Sequence, residues 1–266
     1  MRGGRDRGSR FRMQMKADSR TDLERIFKEA LSSVPARGQG RNKLHTEPWV
    51  AFHSLHALAV SSQICFPITL TRRDKPDYHL HTSDGSIGIE ITEAVPESYA
   101  RAIAIANCEF PDLPILSRAL LNLSDDATNA QIREAIEDCK ALLDEPDDAT
   151  NARIREPITD SRSNRGWPGG SIEDYWFQFM LRRLEVKRAT ASQPGFKLFD
   201  ENWLLIYDNL PLPPIDFRSA AARLAAPEVS LSPFSQLLVL KSMHLFVIRS
   251  SGLAVFDVPP WQDSQK

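Results

Sequence analysis

The sequence predicts an α/β protein in which a mixed central β-sheet is flanked by helices. Helix-like and strand-like segments are interleaved along the chain, and residues 202–207 form an apolar run without interruption. Such a run, bounded by turn residues, is typical of a strand that is buried on both faces. Interleaved helices and strands favour a sheet with helices packed on it.

The composition is that of an ordinary globular protein. Of its 266 residues, 42% are hydrophobic and 26% are charged, and the net charge is −2. Three cysteines without a CxxC pair argue against a disulfide framework and against a structural zinc site. No apolar run approaches the roughly 18–20 residues of a membrane span, and the N-terminus lacks a secretory signal. We therefore expect a cytoplasmic protein without a membrane partner.

A disordered basic arm is predicted for residues 1–20. The first 16 residues hold six basic residues and one acidic residue, together with several glycines. Such a segment has little to bury and stays unfolded. It either contacts phosphates through counterion release or is only a solvated tail. Residues 21–266 are then expected to form a single α/β domain.

Two helices are predicted ahead of the first strands. Residues 21–34 carry apolar side chains at helical spacing, with Thr21 as the N-cap. Residues 48–62 follow, with Thr46 as the N-cap and Pro48 in the first turn.

A β-hairpin is the clearest local structure in the sequence. Residues 78–82 and 87–92 each alternate between two kinds of side chain, and residues 83–86 contain the Asp-Gly pair of a tight turn. The alternation puts Glu90 on the face opposite the isoleucines of its strand, while Asp77 directly precedes the other strand.

The remaining segments complete a helix-and-strand pattern. Residues 125–136 recur almost unchanged as residues 147–158, which indicates a duplicated helical insertion at about residues 112–165. Helices are predicted at residues 97–108, 171–190 and 219–226, and strands at 65–71, 202–207, 237–240, 245–249 and 253–258.

The order of elements around the hairpin resembles the PD-(D/E)XK nuclease superfamily. The residues that carry the resemblance are Pro76 and Asp77 at the head of one strand, and Glu90, Ile91 and Thr92 on the next. The resemblance implies a restriction-endonuclease-like core in which the two acids bind Mg²⁺ or Mn²⁺. Carboxylate oxygens suit such hard cations, which activate water for attack on a phosphodiester.

The sequence departs from this pattern at Thr92, where the superfamily normally has lysine. Some members supply the lysine from the following core helix, and Lys187 is the candidate here. Its other interpretation is a solvated helix charge among neighbouring arginines. The superfamily also tends to place a glutamate on its first core helix, for which Glu47 is the first choice and Glu24 the second. Each glutamate has a purely structural alternative, at a helix N-terminus or in a capping box.

Two histidine pairs have spacings that can share a metal ion. His53 and His56 are three apart in a predicted helix, and His79 and His81 share one face of a predicted strand. Without a third ligand at a zinc spacing, surface or packing roles are favoured. A second interpretation places His79 and His81 beside the acidic site, in contact with phosphate.

The sequence therefore yields two hypotheses of function. The first is a metal-dependent nuclease that hydrolyses DNA or RNA, with Asp77, Glu90, Lys187 and Glu47 as catalytic residues. The basic arm and the arginine-rich helix around Lys187 would supply phosphate contacts. The second, favoured by Thr92, is a catalytically inactive nuclease fold that serves as a nucleic-acid-binding or protein-interaction module.

Overall fold

A single mixed sheet contains the strands that the structure describes. The computed structural model describes residues 14–32, 34–35, 42–110, 120, 123–124, 126–144, 172–210, 212 and 215–259. The strands in this part of the chain are β1 (Gln14–Ala17), β2 (Ile68–Arg72), β3 (Tyr78–Thr82), β4 (Gly85–Ala94), β5 (Glu201–Asp208), β6 (Gln236–Lys241), β7 (His244–Arg249) and β8 (Gly252–Asp257). The helices are α1 (Arg20–Leu31), α2 (Lys43–Val60), α3 (Glu97–Glu109), α4 (Asn129–Asp144), α5 (Ile172–Ala191) and α6 (Phe217–Leu224).

The eight strands lie in sequence order across the sheet. Strands β1 to β4 pair antiparallel in succession, as do β6 to β8, whereas β5 and β6 pair parallel. Helix α6 makes the crossover that a parallel pair requires. The predicted class, a mixed sheet flanked by helices, is confirmed.

Helices α1 and α2 cover one face of the sheet. The rings of Phe27 and Phe52 stack between these helices, with centroids 4.4 Å apart. The core beneath them includes Trp203, Leu205 and Tyr207 of β5. The alternate residues of that strand are also buried, so β5 is buried on both faces as the apolar run predicted.

The described residues divide into two compact units. One comprises the described residues within Met1–Glu93, Phe177–Asp208 and Arg218–Lys266, and the other those within Ala94–Trp176 and Asn209–Phe217. In the second unit α3 and α4 pack together, and Arg133 forms a bidentate ion pair with Glu109. The first copy of the duplicated segment opens α4, where Thr128 and Gln131 cap each other. The second copy lies outside the described residues.

The predicted starts of the first two helices were wrong. Helix α1 is capped by Ser19, whose hydroxyl accepts a hydrogen bond from the backbone N–H of Asp22. Helix α2 begins five residues earlier than predicted, because Asn42 and His45 form a reciprocal cap. Pro48 therefore lies inside α2 and removes one helical hydrogen bond.

The prediction of a disordered arm up to residue 20 was also wrong for its last residues. Gln14–Ala17 form β1, which pairs with β2 at the edge of the sheet. Met15 and Ala17 are buried beneath α1, so this short strand contributes to the core. Residues 1–13 lie outside the described residues.

Candidate active site

The β3–β4 hairpin brings Asp77 and Glu90 to neighbouring positions. Tyr78 pairs with Ile89 in an antiparallel register. Asp77, which precedes Tyr78, therefore lies opposite Glu90, which follows Ile89, on one face of the sheet. The loop that leads into β3 is closed by a 2.7 Å hydrogen bond from the backbone N–H of Arg73 to the carbonyl of Asp77. The hairpin predicted from the sequence therefore sets two carboxylates side by side.

Asp77 is held in an environment that disfavours its charge. Its Oδ2 accepts a 2.7 Å hydrogen bond from the backbone N–H of Ile91. Burial, reinforced by the negative charges of Glu90 and Glu47, raises the pKa of Asp77 to about 7, against the opposing effects of that hydrogen bond and of Lys187. A carboxyl that is difficult to ionise among other acids is typical of a site that takes a cation.

Lys187 contacts Glu90 directly. Its ammonium Nζ lies 2.6 Å from Glu90 Oε1, across 97 residues of sequence. The Glu90 side chain is 7% exposed and that of Lys187 is 21% exposed. Glu90 Oε2 is buried and has no hydrogen-bond partner in the part of the chain that the structure describes. One oxygen of Glu90 is thus bound to a cation and the other remains available for a ligand.

The position of Lys187 follows from the apolar stripe of α5. Met180, Leu184 and Ala191 are buried, and Lys187 falls between the last two at helical spacing. The helix therefore turns Lys187 toward the sheet, and its long aliphatic stem carries the ammonium to Glu90. This register, read along α5, distinguishes Lys187 from the exposed Arg182 on the same helix.

Glu47 lies in the second turn of α2, close enough for its charge to act on Asp77. Its Oε2 accepts a 2.8 Å hydrogen bond from Nη2 of Arg72, and Lys43 Nζ lies 3.2 Å from its Oε1 without the alignment of a hydrogen bond. The charge of Glu47 raises the pKa of Lys43 and contributes to the raised pKa of Asp77. Glu24, the second choice from the sequence, contacts His56 and Arg20 instead.

Two basic residues near the site were not predicted from the sequence. Lys43 was overlooked because α2 was expected to start after it, although it lies four residues before Glu47, the spacing of a helical ion pair. Arg72, the last residue of β2, lies one residue beyond the strand predicted at residues 65–71. Recognising Asn42 as a cap would have revealed Lys43, whereas the Arg72 contact depends on tertiary packing.

The histidine pairs differ in their surroundings. His53 and His56 are buried in α2, where His53 Nδ1 lies 2.8 Å from the carbonyl of Trp49. His79 and His81 are partly or fully exposed on β3, on the same face as Asp77. Both lie near the hydroxyl of Ser86. The packing role favoured for His53 and His56 agrees with their burial.

No group of three or more histidine, cysteine or acidic side chains within the described ranges is arranged to hold a metal ion. The two adjacent carboxylates of Asp77 and Glu90 do not form such a group by themselves. In the same part of the chain, no helix is long and apolar enough to cross a membrane.

Comparison with known proteins gives no relative from which to assign a function. No protein-family model, no curated protein and no solved structure matches the chain. Function is therefore inferred from the side chains that the fold brings together.

Proposed function

We propose that the protein is a metal-dependent nuclease that hydrolyses phosphodiester bonds of DNA or RNA, as its resemblance to the PD-(D/E)XK superfamily implies. The observation that carries the proposal is the 2.6 Å contact between Lys187 and Glu90. The motif lysine is replaced by Thr92, and Lys187 supplies a cation at the acid of the same motif. A lysine that served only as a solvated helix charge would not be expected to contact a carboxylate that is 7% exposed.

The acids fit a hard divalent cation. The buried Glu90 Oε2 lacks a hydrogen-bond partner among the described residues, and the pKa of Asp77 is raised by burial and by the negative charges of Glu90 and Glu47. Mg²⁺ commonly binds through one or two carboxylates and completes its shell with water and substrate phosphate oxygens, so a third protein ligand is not required. Asp77 and Glu90 are the residues that would hold it.

Each side chain has a role that its position supports. A bound Mg²⁺ supplies Lewis acidity and lowers the pKa of a coordinated water. The Lys187 ammonium, fixed by Glu90, orients the attacking water and offsets the negative charge that builds on the phosphate. Glu47, held by Arg72, contributes to the negative potential at Asp77 and so favours cation binding.

The test is metal-dependent cleavage of labelled single- and double-stranded DNA and RNA. Asp77→Asn and Glu90→Gln should abolish cleavage while circular dichroism and the melting temperature show an intact fold. Lys187→Met keeps the aliphatic stem and removes the charge, and should lower the cleavage rate at least about 100-fold, the usual cost of one electrostatic contact to the reacting group. Lys28→Met, which removes an exposed lysine of α1, is the matched control and should cleave normally.

Two outcomes would contradict the proposal. Unchanged cleavage in both Asp77→Asn and Glu90→Gln would show that the activity lies elsewhere. Binding of nucleic acid by the wild-type protein, without cleavage under any divalent metal, would favour the inactive binding module instead.

A further inference from the structure

Phe199 lies directly on the sheet beside the candidate active site. A Cβ atom built on Gly88 of β4 would lie 2.8 Å from Phe199 Cδ2 and 2.9 Å from Asn202 Oδ1, so Phe199 requires glycine at this position. Asn202 fixes the backbone of Phe199 by accepting from its N–H and donating to its carbonyl, each at 3.1 Å. Because Gly88 is two residues before Glu90 on one strand face, the ring is held next to the acids.

One histidine ring and two cationic side chains surround this ring. The His79 ring stacks on Phe199 with centroids 4.4 Å apart. The Lys197 ammonium lies 4.8 Å from the ring centroid, and the Arg73 guanidinium carbon lies 5.7 Å from it. Both distances are in the range of cation–π attraction, which restrains two side chains that are otherwise exposed to solvent. We call Arg73, His79, His81, Lys197 and Phe199 the basic–aromatic cluster.

The cluster continues the line of the active site along β3. Asp77, His79 and His81 alternate onto one face, so the histidines lie about 6–7 Å and about 13 Å from Asp77 along the strand direction. These steps resemble the spacing of successive phosphates in an extended polynucleotide strand. At the far end, Asp200 Oδ2 approaches the hairpin turn, 3.8 Å from the Cβ built on Gly85, and so limits the positive surface.

We propose that the basic–aromatic cluster binds the backbone of a single nucleic-acid strand where it leaves the candidate active site. Arg73 and Lys197 contact the phosphates that flank the scissile one, and Phe199 with His79 forms the rigid base that holds the two cations in place. The cluster rests on the proposed nuclease function for its substrate. It extends that function by assigning the residues that bind the flanking strand.

Binding is measured separately from cleavage, by fluorescence anisotropy of a fluorescein-labelled oligothymidylate in EDTA. The double variant Arg73→Ala/Lys197→Ala should bind at least about tenfold more weakly. The slope of log Kobs against log salt should fall in magnitude by about 1.4, or about 0.7 for each lost phosphate contact. Lys28→Ala/Lys140→Ala removes two exposed lysines with the same change in net charge, and should leave affinity and slope unchanged.

Phe199→Leu tests the aromatic base without changing the charge. It should weaken binding while the salt slope stays near the wild-type value, because both cations remain and only their restraint is lost. An unchanged affinity in Phe199→Leu would contradict the role assigned to the ring.

The two proposals fail in different ways. If Asp77→Asn loses cleavage but the Arg73/Lys197 double variant binds like the wild type, the cluster assignment is wrong and the nuclease proposal stands. If the double variant loses binding but Asp77→Asn still cleaves, the active-site assignment is wrong and the binding surface stands. Absence of wild-type binding, or equally effective competition by polyglutamate at matched charge, would overturn the cluster as a nucleic-acid site.

Discussion

Asp77 makes the stability of the protein depend on pH at the level of one residue. In the unfolded chain its carboxyl ionises near the ordinary pKa of 3.8, whereas in the folded protein the pKa is about 7. Between these values unfolding releases a proton, so this residue lowers the free energy of unfolding as pH rises, by up to about 1.4 kcal/mol per pH unit. Its favourable contribution is complete below pH 3.8 and is lost as pH passes 7.

Asp77→Asn should therefore flatten the pH dependence of unfolding in the metal-free protein. The asparagine side chain keeps an oxygen that accepts from the Ile91 N–H but has no proton to exchange. Urea denaturation in EDTA from about pH 5 to about pH 8 measures the difference in slope. Asp74→Asn, at an exposed position three residues away, is the control. Equal slopes for wild type and Asp77→Asn would contradict the raised pKa.

Substitution of Gly88 should destabilise the protein through steric overpacking rather than through a change in charge. Gly88→Ala introduces a methyl group 2.8 Å from Phe199 and 3.0 Å from Pro76, so the aromatic ring must move. Overpacking of this kind costs about 1–3 kcal/mol. The free energy of unfolding from chemical denaturation checks this value. The same change in a Phe199→Ala background is the control and should cost less, because the closest contact of the new methyl group is then absent. Wild-type stability in Gly88→Ala would mean that the Phe199 ring can move away at no measurable cost in free energy.

Among the elements, β1 contributes more than its four residues suggest. Met15 is 5% exposed, while its neighbour Gln14 points to solvent. Met15→Ala should destabilise the protein by about 2–3 kcal/mol through the cavity it leaves, whereas Gln14→Ala should have almost no effect. Thermal and chemical unfolding of the two variants measure this contrast. A similar effect of both changes would mean that β1 is not docked on the core.

The elements also show which parts of the fold the sequence could predict. The β3–β4 hairpin and the strands from β5 to β8 were predicted because their alternation and turn chemistry are local. Strand β1 was missed because it is short and its partner β2 lies about fifty residues away, so its stability comes from a non-local pairing. The start of α2 was missed because a histidine at position 45 serves in place of the usual acidic or amide partner of a capping box.

The candidate site was predictable in part for the same reason. Asp77 and Glu90 belong to one hairpin, so the turn alone predicts that they meet. The partnership of Lys187 was suggested by the resemblance, and the apolar stripe of α5 gives it a physical basis. The contacts of Arg72 with Glu47 and of Phe199 with Gly88 join distant segments, and no local pattern in the sequence predicts them.

At the scale of the whole molecule, metal binding should stabilise the fold. A ligand that binds only the folded state raises the free energy of unfolding by about 2.7 kcal/mol at one hundred times its dissociation constant. Titration with Mn²⁺ should therefore raise the melting temperature of the wild type. The rise should be larger at about pH 8 than at about pH 6, because protons compete for Asp77 below its pKa of about 7.

Glu90→Gln and Asp77→Asn should abolish most of this rise, whereas the exposed control Glu29→Gln should keep it. An equal Mn²⁺ effect in the site variants would place the metal elsewhere. No Mn²⁺ effect on the wild type would argue against the donor set proposed here.

The ion pair between Lys187 and Glu90 also has a consequence for the chain during its synthesis. Both carboxylates emerge early, on neighbouring strands, but their cation follows 97 residues after Glu90. A nascent or truncated chain that ends before α5 carries the acids without the ammonium that the proposed chemistry needs. Under the proposed function, fragments that end before α5 should cleave nucleic acid far more slowly than the full chain, because the Lys187 ammonium is absent from them.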